Sequence, residues 1–235
     1  MIARVGGKQP RQGGKSLQPG RGMLLAFYGA LSDRFGSQKW WPGETPFEVI
    51  VGAILTQNTN WGNVERALSR LQADGLMNPL RLSEIPPDYL STCLRPAGFY
   101  RVKASRLLNF ITYFRVHYDL DIRRMGTVST YRLREELLAI KGIGPETADS
   151  ILLYAFNRPI FVVDSYTRRV LVRHHLIDEK ATYSEIQRLF ASSLPEEAQI
   201  FNEYHALLVR VGKSFCRAKA RCRGCPLEPF LDIDG

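Results

Sequence analysis

Asp164 follows the apolar run IFVV at 160–163 and precedes SYTRRV, a segment with helical spacing. A carboxylate placed there can cap the new helix by accepting from its first N–H groups. If desolvated, it can instead stabilise positive charge in a reacting molecule and orient a water. Gly142-Ile143-Gly144, followed by Pro145, Glu146 and Thr147, joins two apolar segments. Glycines permit positive φ and close backbone approach, and the free N–H groups of a helix start can hold a phosphate. The same stretch also reads as a plain helix–helix turn. Trp40, Trp41 and Trp61 are the tryptophans of the chain, either core aromatics or electron-rich faces for a cationic ring. Cys216, Cys222 and Cys225 cluster among Lys213, Arg217, Lys219, Arg221 and Arg223, while Cys93 stands alone. No secretory h-region precedes them, so the cluster points to metal rather than to disulfides.

The elements that must position these residues are helical. Apolar residues recur at three- and four-residue spacing in Leu24, Leu25, Phe27, Tyr28 and Leu31, in Val64, Leu68 and Leu71, and in Leu107, Leu108, Ile111 and Phe114. The pattern resumes in Leu133, Leu137, Leu138 and Ile140, in Ile151, Leu152, Ala155 and Phe156, and on through Phe201, Tyr204, Leu207 and Leu208. The stretch 47–55 is nearly all apolar and reads as a central buried helix. Pro86-Pro87, Pro96 and Pro159 fall between stripes, where helix breakers belong. The expected class is all-α, and IFVV is too short and isolated to build a sheet. Residues 1–22 lack periodicity and read as a disordered, dispensable basic tail, with Met23 a candidate true start.

The chain has 235 residues, of which 45% are hydrophobic, enough for a sizeable core. Its net charge is +9, but Arg4, Lys8, Arg11, Lys15 and Arg21 carry five of those charges, leaving +4 on residues 23–235. Bulk charge is thus weak support for a polyanion partner. No apolar run is long enough to span a bilayer, and the expectation is a soluble cytoplasmic monomer with no membrane partner.

Residues 137–156 (LLAIKGIGPETADSILLYAF), VVDSYTRRV at 162–170 and the early segment GAILTQNTNWGNV at 52–64 occur in order. Together they resemble the helix-hairpin-helix DNA glycosylases of the endonuclease III superfamily, over about residues 23–226. The resemblance implies two helical lobes with a DNA-binding cleft between them. The central lobe would span about 42–155; the second would combine 23–41 with 156–215, leaving a cysteine-containing loop and tail at 216–235. It also implies base excision repair on double-stranded DNA holding a damaged base, with Asp164 catalytic and the protein associated with the nucleoid. Lys141, Gly142, Ile143, Gly144 and Thr147 would form the hairpin against the DNA backbone, which positions without reading sequence. Gln57 and Phe99 match the positions that fill the space left by an extruded nucleotide. For Phe99, a loop aromatic packed on the core is the alternative.

Members that also cut the backbone carry a lysine two positions after the second hairpin glycine, and here that position is Glu146. A carboxylate cannot form the imine, and Lys141 lies on the wrong side of the turn, so lyase activity is not expected. The missing lysine, Trp40-Trp41-Pro42 and Gln57-Asn58-Thr59 resemble the 3-methyladenine glycosylase branch, which places Trp40, Trp41, Trp61 and Glu146 at the base pocket. The adenine-mismatch branch would need a glutamate near Gly52 or Ala53. Many members hold a 4Fe-4S cluster on four cysteines at the C-terminal position. Here the set is incomplete, with Leu231 near the fourth place. Asp232, solvent or Cys93 could complete a cluster, three thiolates could hold zinc, or the site could be empty. Outside alkylated-purine repair stand an endonuclease III-type enzyme for oxidised pyrimidines, a non-catalytic DNA-binding module and an iron–sulfur redox protein.

Overall fold

The computed structural model describes residues 21–38, 40 and 43–231. Among them there are helices and loops and no strand, so the all-α class holds. In chain order the helices are α1 (Arg21–Phe35), α2 (Pro46–Thr56), α3 (Trp61–Ala73), α4 (Pro79–Glu84), α5 (Pro87–Cys93), α6 (Tyr100–Tyr118), α7 (Ile122–Gly126), α8 (Thr130–Ala139), α9 (Pro145–Ser150), α10 (Ser165–Arg173), α11 (Tyr183–Ser193) and α12 (Ala198–Ser214). α1 starts two residues before Met23, so the patterned chain begins slightly earlier than the sequence predicts. None of these helices is long and apolar enough to cross a membrane.

Side-chain period explains which residues enter the core. On α1, Leu24, Phe27 and Leu31 are fully buried while Leu25 stays exposed, one helical step off the stripe. α2 is buried along its length from Val49 to Leu55. Its start is set by Thr45, whose side chain accepts from the Glu48 N–H, and by Pro46 in the first turn. α11 begins with a reciprocal cap between Thr182 and Glu185.

The buried apolar residues form two cores. One lies within residues 47–152 and surrounds α2. The other joins α1 to residues 153–227 and surrounds α12. The chain passes between them where α9 widens into a π-helix, Ile151–Ala155. Ile151 and Leu152 belong to the first core and Leu153 to the second. The IFVV segment forms no strand, and Phe161 stacks on Phe190 with centroids 3.7 Å apart.

Asp149, fully buried on α9, ties the two halves together. It accepts from Arg134 Nε (2.6 Å) and a terminal Arg134 nitrogen (3.0 Å) on α8. From α11 it accepts from the Tyr183 hydroxyl (2.8 Å) and Gln187 Nε2 (2.7 Å). A buried carboxylate is tolerated only with such a full donor set.

Candidate active site

Between the two cores lies a cavity of about 580 Å³, within the range of small-ligand sites. Residues from both sides line it. The central side contributes Gln57, Asn58, Trp61, Arg106 and the hairpin with Glu146. The other contributes Trp40, Asp164, Tyr166, Tyr183, His205 and Lys213.

Asp164 is both things its sequence position allows. It is the N-cap of α10, with Oδ1 accepting from the Thr167 N–H at 2.7 Å. It also stands in the cavity wall with 11% of its side chain exposed. Burial works to raise its pKa, but His205 and the Thr167 N–H outweigh it and hold the carboxyl below its usual range. His205 on α12 is buried, and its Nε2 lies 3.6 Å from Asp164 Oδ2 with no hydrogen bond to any described residue. Its Nδ1 is 2.6 Å from the Tyr154 hydroxyl. An anionic neighbour favours a proton on Nε2, facing Asp164. Tyr154 lies in the π-helix, so the crossing segment supplies the end of this chain of groups. Sequence reasoning missed both His205 and Tyr154. The only signal was a histidine in a helix otherwise rich in apolar residues.

Glu146 faces the same space from the first turn of α9. Solvent reaches the residue from the cleft, yet protein atoms crowd its carboxyl. That loss of water, then the Asp164 charge, pushes its pKa up to about 7 against the lowering effect of His205. The two carboxylates are thus driven apart in acidity by their surroundings.

The hairpin wall uses backbone geometry instead of charge. Gly142 has φ +99°, and a Cβ built there would sit 2.4 Å from Arg106 Cγ, so this position requires glycine. Gly144 differs from expectation. It is extended, with φ −97°, and a Cβ there would meet nothing within 4 Å. Its small size serves no contact inside the chain and leaves the surface open at the start of α9. Ile143, expected with the hairpin against the DNA, instead points inward and is buried. Thr147, expected at the DNA surface, is instead buried, and its hydroxyl accepts from Gln57 Nε2 at 2.8 Å. Gln57 also donates to the Gly142 carbonyl at 3.1 Å and accepts from Arg106. Lys141 is exposed, and its carbonyl accepts from Asn109 at 2.9 Å.

Trp40 and Trp61 both reach the cavity. Lys213 Nζ lies 5.7 Å from the Trp40 ring centroid, and Trp61 donates to Glu65 at 2.7 Å. Trp41 and Pro42 lie outside the described residues. Phe99 is 68% exposed and takes a left-handed φ of +45° ahead of α6, so it is not a core aromatic. Lys103 holds that loop from below by donating to the Ala97 carbonyl at 2.7 Å.

The cysteine loop is pinned by arginines of α10. Arg169 donates to the carbonyls of Cys216 and Gly212. Arg173 donates to Cys216 Sγ and to the carbonyls of Arg217 and Ala218. Burial raises the pKa of the Cys225 thiol, and the neighbouring Cys222 and Cys216 raise it further. Cys93 cannot join them: it is buried in the central core and bonded to Asp74. Asp232 lies outside the described residues. Among the described residues no three His, Cys, Asp or Glu side chains converge as metal ligands, and the donor set falls one thiolate short of a four-cysteine cluster.

Residues 51–196 match the model of the HhH-GPD superfamily of base excision DNA repair proteins. A Methanocaldococcus jannaschii protein, provisionally assigned as a DNA repair glycosylase, is 49% identical over 88% of this chain and 95% of its own length. The crystal structure of a Helicobacter pylori 3-methyladenine DNA glycosylase bound to 1,N6-ethenoadenine is 28% identical, with a TM-score of 0.71 over 82% of this chain and 96% of that one. An endonuclease III–DNA complex shares the fold, with a TM-score of 0.78 at 20% identity over 90% of this chain and 95% of that one. With the hairpin, the buried aspartate after it and the cleft between two helical cores in place, the chain belongs to the HhH-GPD superfamily of base excision DNA repair proteins, in its endonuclease III-like group.

Proposed function

We propose that the protein is a monofunctional DNA N-glycosylase that removes alkylated purines such as 3-methyladenine. The observation carrying this reading is Glu146, which occupies the hairpin position where a lyase would present its lysine and faces a cavity walled by Trp40 and Trp61. The likeness to the Helicobacter pylori 3-methyladenine glycosylase supports it.

The arrangement suits the reaction as follows. A base must leave the duplex to be reached, and Phe99 is an exposed apolar side chain of the kind that fills such a gap. The hairpin N–H groups and Lys141 hold phosphate. A cationic alkylated ring is drawn to the indole faces. As the glycosidic bond breaks, positive charge grows on the sugar. Asp164, kept anionic by His205 and Thr167, stabilises that charge and orients the attacking water.

Release of 3-methyladenine from methylated duplex DNA, slowed by orders of magnitude in Asp164→Asn, is the expected result. Release of oxidised pyrimidines instead would overturn the reading. A bifunctional alternative rests on Lys213, whose amine lies at the cavity wall. Borohydride trapping of a covalent adduct, lost in Lys213→Ala, would favour that alternative.

A further inference from the structure

We propose that Glu146 is a general acid of this site, donating its proton to a ring nitrogen of the departing base, so that the substrate class extends from cationic alkylated purines to uncharged purine adducts. This rests on the glycosylase reading above and assigns a role to a group that the cation chemistry leaves idle. A cationic base departs as a neutral molecule and needs no proton. An uncharged purine departs as an anion unless one is supplied, so a pocket for it must contain a donor.

The geometry supplies that donor in Glu146. Its carboxyl opens into the cavity and makes no hydrogen bond or ion pair with any described residue. Asp164 shares the cavity, but its oxygens are already engaged by the Thr167 N–H and approached by His205 Nε2. Of two carboxyl groups near enough to repel, the proton therefore goes to the one without such support. The other titratable groups facing the cavity are Arg106 from α6, Tyr166 from α10, Tyr183 from α11 and His205 and Lys213 from α12. Tyr154 adjoins them through His205. His205 opposes protonation of Glu146, yet burial and the Asp164 charge prevail and push its pKa up to about 7. A general acid works best with a pKa near the working pH.

The step balances. Glu146 gives its proton to the base as the C1′–N bond breaks, and the bonding electrons leave with the base. Water then bonds to C1′ and passes its proton by way of Asp164 to solvent, and Glu146 regains a proton from solvent. The net change is hydrolysis.

Single-turnover release from two duplexes tests this, one holding uncharged 1,N6-ethenoadenine and the other cationic 7-methylguanine. Glu146→Gln is expected to slow ethenoadenine release by about 100-fold, a typical general-acid contribution. It should change 7-methylguanine release by less than about threefold, since a cationic leaving group draws little on general acid catalysis. Wild-type ethenoadenine release should fall as pH rises through about 7, with no matching fall for 7-methylguanine. This pH profile needs no variant, so it stands even if Glu146→Gln folds poorly. Equal losses on both bases, or loss on neither, would overturn the proposal. Wild-type release of 7-methylguanine alone would overturn it while leaving the alkylated-purine reading intact, whereas release of neither base, together with no 3-methyladenine from methylated duplex DNA, would sink both.

Discussion

The two walls of the cleft are built on different principles. The central wall is set mainly by backbone geometry, with a glycine at positive φ, an open second glycine and Gln57 laid across the turn, and it carries Arg106 and Glu146 as its ionisable groups. The opposite wall is ionic and assembled from afar, with Asp164 before α10, His205 from α12 and Tyr154 from the π-helix. A repair enzyme has two separable tasks, gripping any backbone and reacting with few bases. We propose that the central wall mainly grips and the opposite wall mainly reacts, with Glu146 acting across the cleft from the hairpin. Grip needs exact main-chain shape over a short segment, while chemistry needs charges tuned by residues distant in sequence.

Variants can break that division one wall at a time. The largest effect is expected from Asp164→Asn. Asparagine also caps helices, so α10 should persist while base release falls by about 10³-fold, the cost of removing a key charge-stabilising group. Duplex affinity, measured by fluorescence anisotropy, should hold. A loss of affinity as large as the loss of rate would show that the walls are not separable. Gly142→Ala should do the reverse. Its φ and the Arg106 contact make the strain worth about 1–3 kcal/mol. Plain and damaged duplexes should then bind about tenfold more weakly, about 1.4 kcal/mol of that strain, while bound enzyme still releases base. The smallest effect is expected from His205→Gln, and it depends on pH. Without the imidazole, burial dominates and the Asp164 pKa rises. The acid limb of 7-methylguanine release should therefore shift to higher pH, with little change above pH 8. An unmoved limb would mean that His205 only fills space.

The same division explains what could be read before any coordinates. Helices, their breakers and the hairpin follow from local spacing and turn chemistry, so α2 lies where the pattern places it. Leu25 missed the core because α1 buries only the stripe of Leu24, Phe27 and Leu31 and leaves its neighbouring face to solvent. Thr147 was misplaced because its neighbours in sequence say nothing of Gln57, ninety residues earlier. His205 and Tyr154 carried no motif at all: their roles arise from α12 and the π-helix meeting across the second core. Cys93 was indistinguishable by type from the other cysteines, and only its burial beside Asp74 separates it from them.

Asp149 extends this picture to the DNA. Four donor atoms from α8 and α11 converge on one buried carboxylate at the crossing point. Halves riveted in this way do not close like jaws around a target. The distortion needed to present a nucleotide must then fall on the double helix, at an elastic cost set by its local stacking and flexibility. Sites already softened by damage bend at lower cost, so the stiffness of the protein becomes a first filter, acting before any base is touched.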